Sequence, residues 1–536
     1  MDTGNIARKQ HAEEQRARIA ELYSKHGGNI AAIAQEMGLA RGTVHHHIEK
    51  MGGIKRPIAA GTVKGTIEAP AKFPVKGKIK RYILSSAQNN THVNGPFWEN
   101  VLALAEHYNA EILIGTFSYN QNSFGELSVK KDTKKIDKNL WFAQEIKPYI
   151  CDQRRELGDG LIWCGEMNIL PTAEDPLSGL ETYSHRKSAI FPHAKLAMRS
   201  VATMQGEGTK LNYTTGAITQ MNYIQKKAGL KAEHHHAYAC LVVEVNDEGN
   251  WWVRQVGAAG SACQLQDLDV LVENGTVTTG NKIESVTWGD LHATIIDPVV
   301  EKVSLEMLDT LRPSTQFLHD VLEGSSINHH TAGNAHEKFR TYLRGLSRVE
   351  EELKQTIDKM KAYERPWCRT IVVDSNHDTW IMRWLREHDY RSDPQNAIFF
   401  LEAQLAVYKG MQAGDERFHL LEWAMRKYGL SSDVQFLRTD ESFIICDGRI
   451  ECGQHGHLGP NGMRGTPQNL NKVGRRANTA HTHSAGIWNG LYVAGTSTKL
   501  RWGYNIGPSS WSNSHILTYK NGKRCLITIW AGKWRA

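Results

Sequence analysis

No two of the eight cysteines, Cys151, Cys164, Cys240, Cys263, Cys368, Cys446, Cys452 and Cys525, form a CxxC pair. That argues against a zinc knuckle and a disulfide framework, and the thiols are expected to stay reduced and mostly buried as small hydrophobes. No apolar region follows Met1, and no apolar run approaches membrane-spanning length. Neither a cleaved secretion signal nor a membrane span is expected, and a cytoplasmic setting fits. Acidic residues are the scarcer charge: 57 Asp and Glu against 64 Lys and Arg leave a formal net charge of +7, which favours a polyanionic partner. With 40% apolar and 23% charged residues, the 536-residue chain is expected to be a soluble protein. Its length points to about two to four domains.

What is present begins with a helical pattern. Glu13 to Tyr23 reads as a first helix, with Ile19 and Leu22 on one face. Asn29 can cap a second helix carrying Ile30, Ile33 and Met37, Gly38 breaks it, and a third runs from about Ala40 to Lys50 with Val44 and Ile48 inward. This is helix-turn-helix spacing over residues 1–52. Arg41, Thr43, His45, His46 and Lys50 then face outward, toward phosphates or base edges in a major groove. Residues 53–79 form a basic linker in which Lys55, Arg56, Lys64, Lys72, Lys76 and Lys78 stand against the single acid Glu68. Such a segment can follow a phosphate backbone, and Lys55 and Arg56 extend the expected DNA contact.

Residues 80–280 read as a mixed α/β accessory domain. Arg81 to Ser86 and Ala110 to Gly115 are strand-like and flank a helix from Phe97 to Tyr108, which predicts a parallel pair. Leu161 to Cys164 and Ala239 to Val245 are further strands, the latter paired with Trp251 to Val256 across a turn at Asn246 to Asn250. His234, His235 and His236, taken as extended, alternate faces and do not converge on a metal, so surface or interdomain contacts are expected of them. His185, Arg186 and Lys187, with His193 and Lys195, read as a further DNA contact.

Chemistry concentrates after residue 280. Val286 to Trp288 is an apolar run leading to Asp290 and His292, whose spacing of two puts both side chains on one side if the strand continues through them. Thr315 to Leu318 leads to Asp320, placed beside that pair if the two strands are parallel neighbours. The β-branched run Arg369 to Val373 ends in Ser375, Asn376, His377 and Asp378, where Asn376 offers an uncharged oxygen ligand. Further on come His455 and His457 in a glycine-containing turn, then His481 and His483, again two apart. Carboxylate oxygens and imidazole nitrogens in this proportion are a ligand set for a divalent transition metal. Between these elements, Asn334 to Tyr363 reads as one or two long helices, and the tail is rich in tryptophan, including Trp488, Trp502, Trp511, Trp530 and Trp534. Those rings can stack on unpaired bases or pack among short strands.

In this order the five elements resemble the calcineurin-like metallophosphoesterase superfamily, whose pattern is D-x-H, G-D-x-x-D, G-N-H-D, a lone histidine, and G-H-x-H. The resemblance covers residues 281–536 and implies a four-layer βαβαβ sandwich as the catalytic domain. It implies that Asp290, His292, Asp320 and His483 hold one metal ion, that Asp320, Asn376, His455 and His481 hold a second, and that Asp320 bridges them. His377 would serve the leaving group and Asp378 would orient His377. The chain departs from the pattern at His319, Ser375 and Ala480, each in place of a glycine, and at Glu323 in place of a second Asp; His455 rather than His457 is taken as the lone ligand. Manganese is the first choice of cation, with iron, zinc and magnesium as alternatives.

The whole chain, including Thr214 to Thr219 and Trp252 to Gln255, is also similar to the early transfer proteins of large tailed bacteriophages. That resemblance implies a DNase in the host bacterial cytoplasm, linked to host DNA degradation and to phage DNA transfer. DNA, a homo-oligomer and a second phage transfer protein are the partners it brings into view. A metal-dependent DNA phosphodiesterase is therefore expected; the alternatives are a phosphomonoesterase and a DNA-binding transfer or regulatory protein with a vestigial site.

Overall fold

The computed structural model describes residues 3–26, 29–51, 79–119, 141–503 and 505–536. The chain divides into two compact units, 1–64 and 65–536. Most of the basic linker, with Lys55 and Arg56, lies outside the described residues.

The first unit packs three helices, α1 (Thr3–Lys25), α2 (Ile30–Met37) and α3 (Arg41–Lys50). The first is longer than the apolar periodicity alone predicts. Asn29 caps α2 by accepting from the backbone N–H groups of Ala31 and Ala32. Gly38, at φ 63°, closes the helix in the left-handed conformation that a residue without Cβ adopts most easily. Ile19, Leu22, Ile33 and Val44 are fully buried between the helices. With Val44 inside, Arg41, Thr43, His45, His46 and Lys50 fall on the exposed side of α3.

The second unit is mixed α/β. Strands Lys80–Gln88 and Glu111–Phe117 pair in parallel and are connected by the helix Gly95–Tyr108, and Ala239–Val245 and Trp251–Gly257 complete a four-stranded sheet. A six-stranded sheet has the order 435–436, 369–372, 315–318, 285–287, 514–518, 524–528, its first four strands parallel. Alternation within these strands sends side chains both ways. Leu318 and Val372 join a core shared with the helices Pro298–Leu311, Val349–Tyr363 and Ala397–Gln412, while Phe317 and Ile371 pack against Ile445, Ile450 and Cys452 on the other face. Among the described residues, no helix is long and apolar enough to cross a membrane.

The boundary expected at 280/281 does not separate two bodies. A ten-stranded sheet joins five strands from 154–214 to five from 444–493, through the antiparallel pairing of Met198–Val201 with Gly486–Trp488. The two segments also share one apolar core, in which Tyr82, Trp163 and Tyr213 meet Ile487, Ile516 and Leu526. Residues 80–280 are half of the scaffold.

His185 and His234 are exposed, as a surface or DNA contact requires, but several of the residues grouped with them are not. His234 and His235 end the helix Lys227–His235 instead of continuing an extended segment, and His236 is held by the Tyr223 hydroxyl and the Thr219 carbonyl. His193 is fully buried and bonded to the Leu170 carbonyl, and Lys195 is buried with its ammonium on the Glu174 carbonyl. Neither can serve the DNA contact expected of it. Arg186 and Lys187 pair with Glu207 and Glu156.

A buried charge cluster ties the four-stranded sheet together. Arg254, 2% exposed, donates from Nε and Nη2 to both oxygens of Asp267 at 2.7 and 2.8 Å, and from Nη1 to Glu244 at 2.8 Å. Burial raises the Glu244 carboxyl, but Arg254 and Arg81 outweigh it and bring it from 4.5 to about 2. A depressed carboxyl stabilises the fold fully above about pH 4.5, and that contribution, about 3 kcal/mol, is lost as pH falls toward 2. Urea unfolding from pH 6 to 2 is expected to show this acid loss, and Glu244→Gln is expected to flatten it. Arg254→Met should cost about 3–5 kcal/mol at neutral pH by leaving two buried carboxylates unpaired.

Candidate metal centre

The parallel strands Ser285–Thr287, Thr315–Leu318 and Arg369–Val372 end side by side, and the loops leaving them converge. Asp290 and His292 do not continue a strand, as their spacing suggested. The strand stops at Thr287, and His292 sits at φ 41° in a left-handed turn. The turn is possible because Gly289 meets Gly495: a Cβ on Gly289 would lie 2.7 Å from the Gly495 carbonyl carbon. The Asp290 N–H donates to the Gly495 carbonyl and Ser497 returns a bond to the Asp290 carbonyl, fixing the loop against a segment two hundred residues away. Asp320, His481 and His483 also have positive φ, at 43°, 72° and 57°. Four proposed ligand residues thus hold backbone conformations that L-residues seldom adopt, and such strain collects at functional sites.

The side chains form two donor groups that share Asp320. Asp290, His292, Asp320 and His483 make one; Asp320, His455 and His481 make the other. In the first, His483 Nε2 lies 2.9 Å from Asp290 Oδ2 and 3.2 Å from His292 Nε2. In the second, Asn376 Oδ1 is 2.9 Å from His455 Nε2 and 3.0 Å from His481 Nδ1, while His455 Nε2 is 3.3 Å from Asp320 Oδ2. Asp290, His292, Asp320 and His455 are at most 2% exposed. His457 belongs to neither group. Asn376, His377 and His481 are half-buried and mark the side open to solvent.

These donors fit a metal ion. Imidazole nitrogens 3.2 Å apart, flanked by carboxylate oxygens, gather lone pairs that a cation satisfies better than any hydrogen bond between them. The electrostatics agree. Burial pushes the Asp290 and Asp320 carboxyls up, but His455 and its neighbours hold both below the ordinary aspartate range. Burial pushes His292 down, and Glu323 and Asp320 raise it to about 9. Buried negative charge of this density draws in positive charge.

Several supporting residues were not legible as such. Glu323, noted only as a departure from the motif, sets Oε2 2.8 Å from His292 Nδ1 and so orients that ring toward the donor group. The hydroxyl of Ser375, in the place of a glycine, donates to the Val373 carbonyl and accepts from the Asp320 N–H. His319 is buried with its ring stacked on His455, and burial brings it to about 3, so it stays neutral. The backbone N–H groups of His377 and His481 donate to Asp320 and Asp290. Asp378 does not orient His377, contrary to the role carried over from the motif. Its Oδ1 accepts from the Leu322 N–H and its Oδ2 has no partner, while burial and nearby Asp320 raise the carboxyl well above its ordinary range. His377 Nδ1 is held instead at 2.8 Å by the Glu323 carbonyl, and its ring stacks on Trp380.

Fold and site together define a mixed α/β protein with buried histidine and aspartate clusters able to hold metal. No family model and no solved structure matches the chain. It is similar to "Protein A1" of Escherichia phage T5, with 36% identity over 496 residues that cover 90% of this chain and 87% of the phage protein. The chain belongs to the family of that phage protein.

Metal binding can be read directly. After dialysis against Mn2+ or Zn2+, the intact protein is expected to retain metal by elemental analysis, and Asp320→Asn and His455→Ala to lose it. Glu323→Gln is expected to weaken affinity roughly 10- to 100-fold without abolishing binding, as removal of an orienting partner does.

Proposed function

We propose that the chain is a metal-dependent deoxyribonuclease whose catalytic part is a calcineurin-like metallophosphoesterase sandwich. The observation that carries this reading is the sharing of Asp320 by two buried donor groups at the ends of parallel strands. One carboxylate serving two adjacent sets of ligands is the arrangement a dinuclear phosphoesterase needs, with Mn2+ the cation we favour. Bound divalent cations lower the pKa of water and polarise phosphoryl oxygens.

The protein's own groups do the rest. Asp290 and Asp320, held ionised by the surrounding imidazoles, bring the negative charge that retains cations. Asn376 contributes an oxygen without adding charge, which leaves room for an anionic phosphate diester. The hydrogen bond from Nδ1 to the Glu323 carbonyl puts the proton of neutral His377 on Nδ1 and leaves the Nε2 lone pair free, so that Nε2 takes a proton from solvent before handing it to the departing oxygen. Burial lowers His377, so its neutral form prevails near neutrality. Trp380 keeps the ring from turning away.

DNA as substrate is supported by the exposed basic face of α3, which we read as the recognition helix of a helix-turn-helix module, and by the basic composition of residues 53–79. Membership in a phage protein family supports a role in the infected host, where host DNA degradation and phage DNA transfer are the tasks we assign.

Purified protein is expected to cleave linear, circular or single-stranded DNA with Mn2+ and to be silent in chelator. Asp290→Ala should abolish cleavage and His377→Ala should slow it by about 10²- to 10⁴-fold. Failure of the unmodified protein to cut any DNA form with any of Mn2+, Mg2+ or Zn2+ would sink the reading. Separately, Arg41→Glu and Lys50→Glu should weaken duplex binding and each reduce the salt slope by about 1, read by anisotropy across a salt series.

A further inference from the structure

A groove of about 650 Å3 opens beside the donor cluster, with Asn376 and His377 at its inner end and His330, Arg340, Arg344 and Trp502 among its walls. One wall is the helix Ala335–Leu343, which buries none of its residues. An amphipathic helix that contributes nothing to the core is kept for what it presents. It presents Arg340, paired with Glu337, and just beyond its end Arg344, whose guanidinium lies 4.9 Å from the centre of the Trp502 ring.

The opposite wall is built to hold that ring in place. The Trp502 backbone N–H donates to Asn505 Oδ1 at 2.7 Å, and Asn505 Nδ2 donates to the Leu500 carbonyl and to Ser509 Oγ. Arg501 fastens the loop by donating to the carbonyls of Gly507, Thr203 and Met204. A half-buried indole on a braced loop, faced by two exposed guanidiniums and opening onto the reactive centre, combines a stacking platform with anion-binding groups. A peptide's apolar face would match the indole but would bring no anion to the guanidiniums, of which Arg340 now pairs with Glu337 and Arg344 lies over the indole.

We propose that this groove binds the unpaired DNA strand next to the scissile phosphate, with one nucleobase stacked on Trp502 and flanking phosphates on Arg340 and Arg344. This rests on the phosphodiesterase reading above and names the form of its substrate. The base takes the face of the ring that Arg344 covers, and the released guanidinium turns to the adjoining phosphate. Bases inside a duplex have both faces covered by their neighbours, so Trp502 reaches a base only where the strand is unpaired.

The test uses the full-length protein with Mn2+ and compares a short single-stranded oligodeoxynucleotide with bis(4-nitrophenyl) phosphate, a diester with no bases. In Trp502→Ala and Arg344→Ala, the ratio of kcat/KM for the oligonucleotide to that for the small diester is expected to fall roughly tenfold or more, and Trp502→Phe to recover most of it. Anisotropy of a labelled oligonucleotide in chelator is expected to show a matching loss of affinity in the alanine variants. An unchanged ratio with unchanged affinity overturns the proposal, as does equal loss on both substrates, which marks a structural role. Hydrolysis of the small diester but not of the oligonucleotide by the unmodified protein overturns the groove and leaves the phosphodiesterase chemistry standing. Hydrolysis of neither removes the phosphodiesterase reading, and the affinity difference alone then decides for or against the groove.

Discussion

The second unit is organised around carboxylates that have been taken out of water. Asp290, Asp320 and Glu323 are all but fully buried where three parallel strands end, and an ionised carboxylate in such a place costs several kcal/mol unless its charge is met. Imidazoles meet part of it, and backbone N–H groups from His377 and His481 meet more. Packing pressure is visible in the backbone as well. His292, Asp320, His481 and His483 all take left-handed conformations, which places their side chains inward over distances a regular strand or helix cannot supply. A site held this tightly before any cation arrives is preorganised, and its strain is sustained by the cores on both faces of the six-stranded sheet.

Residue types made the cluster legible, but backbone geometry did not. Asp290, His292, Asp320 and Asn376 stand at the ends of apolar runs, His455 in a glycine-containing turn and His481 and His483 two apart, and the resemblance to the metallophosphoesterase pattern is what joined them into one site. The spacing of two between Asp290 and His292 suggested a continuing strand, and that failed. Thr287 ends the strand, and a pair of facing glycines, Gly289 and Gly495, permits a turn that no local pattern announces. The role of Asp378 was equally hidden. Whether an acid beside His377 holds that ring or the Leu322 N–H depends on where the Glu323 carbonyl lies, and that comes from another loop.

The division of the chain was the least legible feature. In 154–214 only Leu161–Cys164 reads as a strand from composition, and the pairing that joins this region to the C-terminal segment, Met198–Val201 with Gly486–Trp488, spans some 285 residues, as in the bond from Ser200 Oγ to the Ala485 carbonyl. Pairing at that separation leaves no trace in local periodicity. The same holds for Thr214 to Thr219 and Trp252 to Gln255. Gly216, at φ 74°, fits where a Cβ would strike Ala239, and Arg254 and Gln255 are buried hydrogen-bonding hubs, the second accepting from the Leu526 N–H. These segments join the scaffold rather than touch a substrate.

That late closure has a bearing on when the donor cluster can form. The ten-stranded sheet is incomplete until residues 477–493 have been made, and the strand 285–287 lacks its antiparallel neighbour until 514–518 follow. His481 and His483 therefore leave the ribosome well after Asp290 and Asp320, and the strand 524–528 later still. An unfinished chain carries Asp290 and Asp320 but lacks the imidazoles that complete their surroundings. A fragment that stops short of them holds an incomplete donor cluster, and the site exists only in the joined chain.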